Sequence, residues 1–422
     1  VLGFWPHFLS VNPSRGLMDE QFVVLVQNAP PGSELTVHSF HQCDEGHSWN
    51  AFAHYISDAA GSVNVSGDCS LGGTYSGIEP MGLLWSLRPV PGSKPGLRIR
   101  KKNVQVPMLV TVSVYEGHRK DGFSDLVPLA SVLVERWYMA PGVRRIPVTE
   151  GGLTATLFLP PGPGPFPAVL DLWGSGGQLM EYRAALLASH GLAALVVDYL
   201  TTKNIKETEK MTIFQYIETA YKYLEEHLQI LGSRIAMLGL SFGTSVTLRM
   251  AAYSKIMKVT AEENICPSHD DPRVAEEGER PESSKPLEIL PRDLSLPIDP
   301  LKKVDVGRLQ CPLMLVVGED DQNSAAQESA SDMKEMMERA GNSHLLTILS
   351  YPDAGHLIEP PYTPHVRASN FKPAGLKQMF LWGGQTVAHS RAQEDSWKKI
   401  LLFLRVNLFG GTRPGAAPLS RL

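Results

Sequence analysis

At 422 residues the chain is longer than one hydrophobic core ordinarily serves, so two domains are expected. Hydrophobic residues make up 43% and charged residues 20%, a globular balance that excludes collagen-like and disordered classes. The formal charge of −5 argues against nucleic acid as a general partner, because phosphate binding needs a concentrated basic surface, whereas a few local cations would serve a small anion.

The opening Val1-Leu2-Gly3-Phe4-Trp5 is apolar yet lacks a basic n-region and a small-residue cleavage site, so Val1 to Phe8 reads as an entry segment to the fold. From about Gln21 to Met139 apolar residues recur at every second position between Gly, Pro and Asn. Val110, Val112 and Val114 alternate with Thr111 and Ser113, which gives one apolar face and one wet face. Comparable short runs are Phe22–Gln27, Leu35–Phe40, Asn50–Ile56, Leu83–Leu87 and Val132–Trp137. A succession of short strands with no helical stretch between them predicts an antiparallel β-sandwich. His38, His41, His47 and His54 fall on different predicted strands and turns without a ligand pattern, so no metal is expected there. Cys43, Cys69, Cys266 and Cys311 form no CxxC pair; their spacing suits a reducing compartment and small buried thiols better than a disulfide framework.

Around Ala140-Pro141-Gly142 the pattern changes, which divides a β-sandwich domain (1–140) from a second domain (141–410). Pro160-Pro161-Gly162-Pro163-Gly164-Pro165 is a stiff turn feeding Phe166–Trp173, a continuous apolar run typical of a strand buried on both faces. Strands and helices then alternate. Glu181–His190 reads as a helix, Leu192–Asp198 as a strand, and Ile213, Ile217, Ala220, Tyr221, Leu224 and Leu228 recur at helical spacing. Ile235–Leu238, Leu313–Val317 and Leu345–Leu349 are further strands, and Ala388–Leu404 is a closing helix. This alternation calls for a mostly parallel sheet with helices on both faces. No apolar run approaches the roughly 18 residues that cross a bilayer, so no membrane span is expected.

Gly239-Leu240-Ser241-Phe242-Gly243 is a Gly-x-Ser-x-Gly run, a weak signal by itself. It follows the apolar strand Ile235–Leu238 and precedes the helix-compatible Thr244–Tyr253, which is the strand, sharp turn and helix of a nucleophile elbow in an α/β-hydrolase. The turn strains the serine backbone, and side chains at Gly239 and Gly243 would strike the neighbouring strand and helix. A serine hydroxyl needs a base, and the base an orienting carboxylate, which follow in the order acid, then histidine. Leu313–Val317 ends in Gly318-Glu319-Asp320-Asp321, where any of the three carboxylates fits, with Asp353 a fourth and less suitable choice after Pro352. Leu345–Leu349 leads to Gly355-His356; His344 precedes its strand and His365 lies well past the turn, so His356 is the expected base. The substrate oxyanion needs fixed N–H donors. One is expected from Phe242, and another from the glycine-rich Trp173-Gly174-Ser175-Gly176-Gly177, at Gly174 or Ser175.

Met139-Ala140-Pro141-Gly142-Val143-Arg144-Arg145 and Leu157-Phe158-Leu159-Pro160-Pro161-Gly162-Pro163-Gly164-Pro165-Phe166-Pro167 resemble the family of type I acyl-CoA thioesterases and bile acid-CoA:amino acid N-acyltransferases. Supporting matches are Gly176-Gly177 with Glu181-Tyr182-Arg183-Ala184, Gly355-His356 running on to Glu359-Pro360-Pro361-Tyr362, Leu71-Gly72-Gly73, and Glu79-Pro80-Met81-Gly82-Leu83-Leu84-Trp85. The resemblance implies an N-terminal antiparallel β-sandwich followed by an α/β-hydrolase domain, Ser241 as nucleophile, His356 as base and Asp321 as the acid, the last by family spacing to Gly341. It implies an acyl-CoA thioester as substrate, with no separate cofactor or metal, and either water or an amino acid such as glycine or taurine as acceptor. The bile acid-conjugating branch carries a cysteine nucleophile, so serine favours hydrolysis, although some members proposed to conjugate fatty acids keep serine. Arg183, near the oxyanion loop, is a candidate for contacting CoA. The tail 411–422 ends in Ser420-Arg421-Leu422, which resembles the Ser-Lys-Leu peroxisomal address, so a peroxisomal import receptor is an expected partner and a cytosolic location the alternative.

One departure stands out. After the nucleophile helix the family continues with an apolar strand, whereas here Thr260-Ala261-Glu262-Glu263-Asn264, Ser268-His269-Asp270-Asp271-Pro272 and Glu276-Glu277-Gly278-Glu279-Arg280 are polar. The expectation is a missing or replaced strand beside the nucleophile, or a divergent lid-like loop; a missing strand would displace the Asp321 loop and leave a non-catalytic binding protein.

Overall fold

The computed structural model describes residues 8–174, 179–201, 213–254, 259–265 (backbone), 303–371 and 378–409. Ser175, Gly176-Gly177, Cys266, the entry segment before Phe8 and the tail Ser420-Arg421-Leu422 lie outside the described residues. The chain divides into two compact units: one runs to Ala140 and takes in Pro360–His365, and the other runs from Pro141 to Glu359 and resumes at Val366.

In the first unit the period-two pattern folds into β1 (Leu9–Asn12), β2 (Arg15–Leu17), β3 (Val23–Val26), β4 (Glu34–Gln42), β5 (Ser48–Ile56), β6 (Val63–Asn64), β7 (Arg88–Pro89), β8 (Met108–Glu116) and β9 (Ala130–Trp137). They form a three-stranded sheet, β1-β3-β6, and a six-stranded sheet, β2-β9-β8-β4-β5-β7. Every pairing is antiparallel except β2 with β9. Val110, Val112 and Val114 are fully buried, as the alternation requires. The run Leu83–Leu87 is not a strand: Gly82–Trp85 makes a single helical turn, α1, with all four residues buried. A short, wholly buried apolar run carries no periodicity that distinguishes the two states. His38, His41 and His54 serve this core, whereas His47 is only partly buried. His38 stacks on Phe123 at 4.1 Å, and burial lowers its pKa to about 4, so it is a neutral ring. His41 Nδ1 meets the Leu109 carbonyl at 2.8 Å and His54 Nδ1 the Thr36 hydroxyl at 3.1 Å. Cys311, in the other unit, is buried, whereas Cys43 is half-exposed and Cys69 exposed.

The second unit contains β10 (Arg144–Val148), β11 (Ala155–Leu159), β12 (Phe166–Leu172), α2 (Tyr182–Ser189), β13 (Ala193–Val197), α3 (Ile213–Glu226), β14 (Ile230–Ser241), α4 (Phe242–Tyr253), β15 (Val259–Ile265), β16 (Leu313–Gly318), α5 (Ala326–Arg339), β17 (Leu346–Tyr351), the hairpin β18 (Ala368–Phe371) and β19 (Gln378–Leu381), and α6 (Thr386–Phe409). Eight strands form one sheet, β10-β11-β13-β12-β14-β15-β16-β17, antiparallel as far as β13 and parallel from there on. Alternation along β12 shows that both faces are covered. Leu170 and Leu172 join a core with Tyr216, Ile217, Ala220, Tyr221 and Leu224 of α3, while Asp171, pointing the other way, takes Arg183 of α2. Leu228 does not belong to the α3 stripe: the helix stops at Glu226 and Leu228 is 96% exposed.

Of the polar stretch after α4, the runs 268–272 and 276–280 lie outside the described residues, and the part that is described departs from expectation. Val259–Ile265 is a strand after all, paired in parallel with β14 on one side and β16 on the other, Leu238 opposite Ala261 and Ala261 opposite Met314. Ladder bonds are made by backbone groups, and the stretch contains no proline, so a polar sequence does not prevent pairing. The sheet therefore runs unbroken from the strand that ends in Ser241 to the strand that precedes Asp321.

Asp171 on β12 and Arg183 on α2 are both fully buried, with Arg183 Nε 2.8 Å from Asp171 Oδ1. The Arg183→Met variant strands a buried carboxylate and is expected to cost about 3–5 kcal/mol, whereas Asp171→Leu/Arg183→Met together recover most of that loss. Urea unfolding of the single and double variants checks this.

Candidate active site

Strand β14 and helix α4 meet at Ser241, which holds φ 55° and ψ −119°, a conformation that a non-glycine residue adopts only under constraint. The constraint is close packing on both sides. A Cβ at Gly239 would lie 2.7 Å from the Gly243 carbonyl carbon, and one at Gly243 would lie 2.3 Å from the Leu172 oxygen. Both glycines are thus needed for the helix to start directly over the end of β12, and the turn lifts the serine hydroxyl off the sheet.

The hydroxyl oxygen of Ser241 is 2.8 Å from His356 Nε2, and His356 Nδ1 is 2.7 Å from Asp321 Oδ2. The histidine is completely buried and the Asp321 side chain nearly so. With Nδ1–H donating to the carboxylate, Nε2 is left as an acceptor facing the serine proton. The other carboxylates are occupied elsewhere. Glu319 accepts from Ser350 Oγ at 2.7 Å, and Asp320 accepts from Gly384 N at 2.8 Å and Gln322 Nε2 at 2.6 Å. Asp353 sits at φ 56° in the turn before the histidine loop, and its carbonyl accepts from Gln385 N at 2.7 Å. His344 lies in the short turn that precedes β17, and His365 belongs to the first unit.

Asp321 is fixed by its own loop. Its Oδ1 accepts from the backbone N–H groups of Asn323 (2.8 Å) and Ser324 (2.9 Å), and its Oδ2 also accepts from Ser324 Oγ at 2.7 Å. The Ser324 hydroxyl is also 3.4 Å from His356 Nδ1. The histidine loop is held as tightly. His356 N–H donates to the Trp382 carbonyl at 2.7 Å, and the Trp382 ring lies nearly parallel to the imidazole, centroids 5.7 Å apart. His389, on the first turn of α6, is fully buried; its Nδ1 accepts from Gly355 N–H at 3.0 Å and its Nε2–H donates to the Leu357 carbonyl at 2.8 Å. One ring therefore grips the backbone on both sides of His356.

Ser324 and His389 are the residues that sequence reasoning missed. Ser324 had a signal, since Asp followed three positions later by Ser is a local side-chain-to-backbone pattern. His389 had none, because a lone histidine on a helix says nothing about which distant carbonyl it meets.

Phe242 N–H lies at the first position of α4, where helix donors lack an intrahelical partner. The Gly174 backbone packs against Ser241: a Cβ there would be 3.1 Å from Ser241 Cβ and 3.6 Å from its Oγ. Arg183 is not placed to contact CoA. It is fully buried, its guanidinium is bound to Asp171 and lies over the Trp173 ring at 5.0 Å. Among the described residues no group of three or more His, Cys, Asp or Glu side chains is arranged to hold a metal, and no helix is long and apolar enough to cross a membrane.

A serine on an elbow between a parallel strand and a helix, followed in order by an acid and a histidine on loops after later strands, defines an α/β-hydrolase. Residues 19–150 match the model of the acyl-CoA thioester hydrolase/BAAT N-terminal region, and residues 212–279 and 292–410 match that of the BAAT/acyl-CoA thioester hydrolase C terminus. The peroxisomal succinyl-coenzyme A thioesterase of Mus musculus is 36% identical, over 97% of this chain and 98% of that protein. The mitochondrial acyl-coenzyme A thioesterase 2 of the same organism is also 36% identical, over 95% of this chain and 89% of that protein. The chain belongs to the acyl-CoA thioester hydrolase/BAAT family. Among solved structures, a dienelactone hydrolase-like phosphotriesterase from metagenomic libraries is 16% identical at a TM-score of 0.40, covering 63% of this chain and 98% of that one.

Replacing Asp321 by Asn removes the acceptor that holds Nδ1–H and lets the imidazole adopt the wrong tautomer. Asp321→Asn is expected to lower kcat by about 10⁴-fold with little change in KM, read in steady-state acyl-CoA turnover.

Proposed function

We propose that this protein hydrolyses acyl-CoA thioesters to free acids and CoA, with Ser241 as nucleophile, His356 as general base and acid, and Asp321 as the orienting carboxylate. The observation that carries the reading is the continuous hydrogen-bonded run from Ser241 Oγ through His356 to Asp321, in a chain whose relatives are named acyl-CoA thioesterases.

His356 Nε2 takes the serine proton as Oγ attacks the thioester carbonyl, and Asp321 stabilises the imidazolium that forms. The negative charge that develops on the carbonyl oxygen falls to fixed backbone donors, Phe242 N–H at the start of α4 and a donor from the Gly174-Ser175 loop. Collapse of the tetrahedral species expels CoA, whose sulfur takes the proton from His356. Water, deprotonated by the same Nε2, then attacks the ester carbonyl, and His356 returns that proton to Ser241 Oγ as the C–O bond breaks and the acid leaves. CoA enters as part of the substrate, and each proton in the cycle moves through His356.

The domain assignment proposed with this function is a β-sandwich domain at 1–140, a catalytic domain at 141–410 and a tail at 411–422. A peroxisomal location is proposed on Ser420-Arg421-Leu422, read by an import receptor, and a peroxisomal relative lends it support. Appending residues 411–422 to a fluorescent protein tests this: punctate fluorescence that coincides with a peroxisomal marker is expected, and diffuse fluorescence would refute it.

Release of free CoA from acyl-CoAs of graded chain length, with and without glycine or taurine, is the decisive assay. Hydrolysis independent of amine is expected, and Ser241→Ala is expected to lower kcat by roughly 10⁴- to 10⁶-fold. An N-acyl amino acid as the main product would move the chain to the transferase outcome, and no turnover by the unaltered protein would sink both.

A further inference from the structure

Tyr199 follows β13 at the same edge of the sheet as the nucleophile, and it is 2% exposed. Its hydroxyl donates to the carbonyl oxygen of Trp173. Its ring stacks on Phe242, with centroids 6.3 Å apart and planes 13° from parallel. One side chain thus touches the residue after the nucleophile and the peptide that opens the glycine-rich loop.

The bond to Trp173 has a geometric consequence. In a trans peptide the C=O and the following N–H point in opposite directions, so a donor that fixes the Trp173 carbonyl also fixes the direction of the Gly174 N–H. The Trp173 side chain leaves little freedom for that peptide to rotate, because Arg183 lies over its ring at 5.0 Å and Tyr182 meets it edge-on at 5.1 Å. The Trp173 oxygen also faces α4, since a Cβ at Gly243 would come within 2.9 Å of it. Burial pushes the Tyr199 phenol far above its ordinary pKa, so the hydroxyl remains a donor throughout the working range. A buried tyrosine needs some acceptor. A bond made only for that need would have no reason to coincide with a stack on the other oxyanion residue.

Resting on the acyl-transfer reading, we propose that Tyr199 is a positioning residue for the oxyanion site, holding the Trp173–Gly174 peptide through its hydroxyl and Phe242 through its ring, so that both backbone donors face the same point above Ser241. It acts on the transition state and not on the bound thioester, because the donors matter most when charge has moved to oxygen.

The test is Tyr199→Phe in the full chain, which keeps the ring and its stack and removes only the hydroxyl. Turnover is normalised to the enzyme that a fluorophosphonate labels at Ser241. Affinity is measured for an acyl-CoA analogue bearing a trifluoromethyl ketone, which Ser241 converts to a hemiketal oxyanion. The expected result is a fall in kcat of roughly 10- to 100-fold, smaller than the 10²- to 10³-fold typical of deleting a donor outright. KM should stay within about twofold, and affinity for the ketone should fall by the same factor as kcat. A normalised kcat within twofold of the unaltered enzyme, or a loss of kcat without weaker ketone binding, overturns the role of Tyr199 while leaving the hydrolase reading intact. If the unaltered protein neither turns over acyl-CoA nor takes the fluorophosphonate, the reading itself fails and the Tyr199 role fails with it.

Discussion

The positive φ of Ser241 is a consequence of how closely helix α4 is packed against the end of β12. With no room for even a Cβ between Gly243 and the Leu172 carbonyl, the chain passes from β14 into α4 by turning back on itself at Ser241. That turn costs on the order of 1–3 kcal/mol of backbone strain. The surrounding sheet supports it, because β14 lies between β12 and β15 and has ladder partners on both sides. Each other part of the site is placed relative to this corner: Gly174 packs against the serine, Phe242 opens the helix, and His356 approaches from the far side.

The elements that make the corner were readable because their physical requirements are local. Two glycines are needed at fixed spacing, an apolar strand must precede them and a helix must follow, and each requirement leaves a mark within fifteen or so residues. The acid was harder. Glu319, Asp320 and Asp321 are equivalent in composition, and only the register of the loop decides between them: the N–H groups of Asn323 and Ser324 converge on Asp321, while Asp320 turns towards Gly384. Composition cannot separate the three carboxylates; it is Asp321 whose Oδ2 lies 2.7 Å from His356 Nδ1.

β15 shows the opposite error. Its polar sequence suggests a missing or replaced strand, yet side-chain polarity reports which surface a residue prefers, not whether its backbone can join a ladder. Leu83–Leu87 failed for a related reason, since a buried run without alternation suits a helical turn as well as a strand. Arg183, a cation near a loop, suggests a ligand contact, while its actual partner, Asp171, sits on the hidden face of an otherwise apolar strand. His389 illustrates the deeper limit, because its two backbone partners are more than thirty positions away and leave no trace in the residues around it.

Helix α6 has a mechanical consequence. Near its start, His389 grips the loop that carries His356; at its end, the Leu408 carbonyl accepts from Arg234 Nη1 at 2.8 Å, and Arg234 belongs to the strand that ends in Ser241. Strand, helix and histidine loop therefore form a closed ring of rigid parts that is completed by the bond between His356 and Ser241. In such a ring an added residue cannot be absorbed where it occurs. One extra residue in α6 between His389 and Leu408 rotates one anchor by about 100° relative to the other. The length of this helix is thus as constrained as the elbow itself.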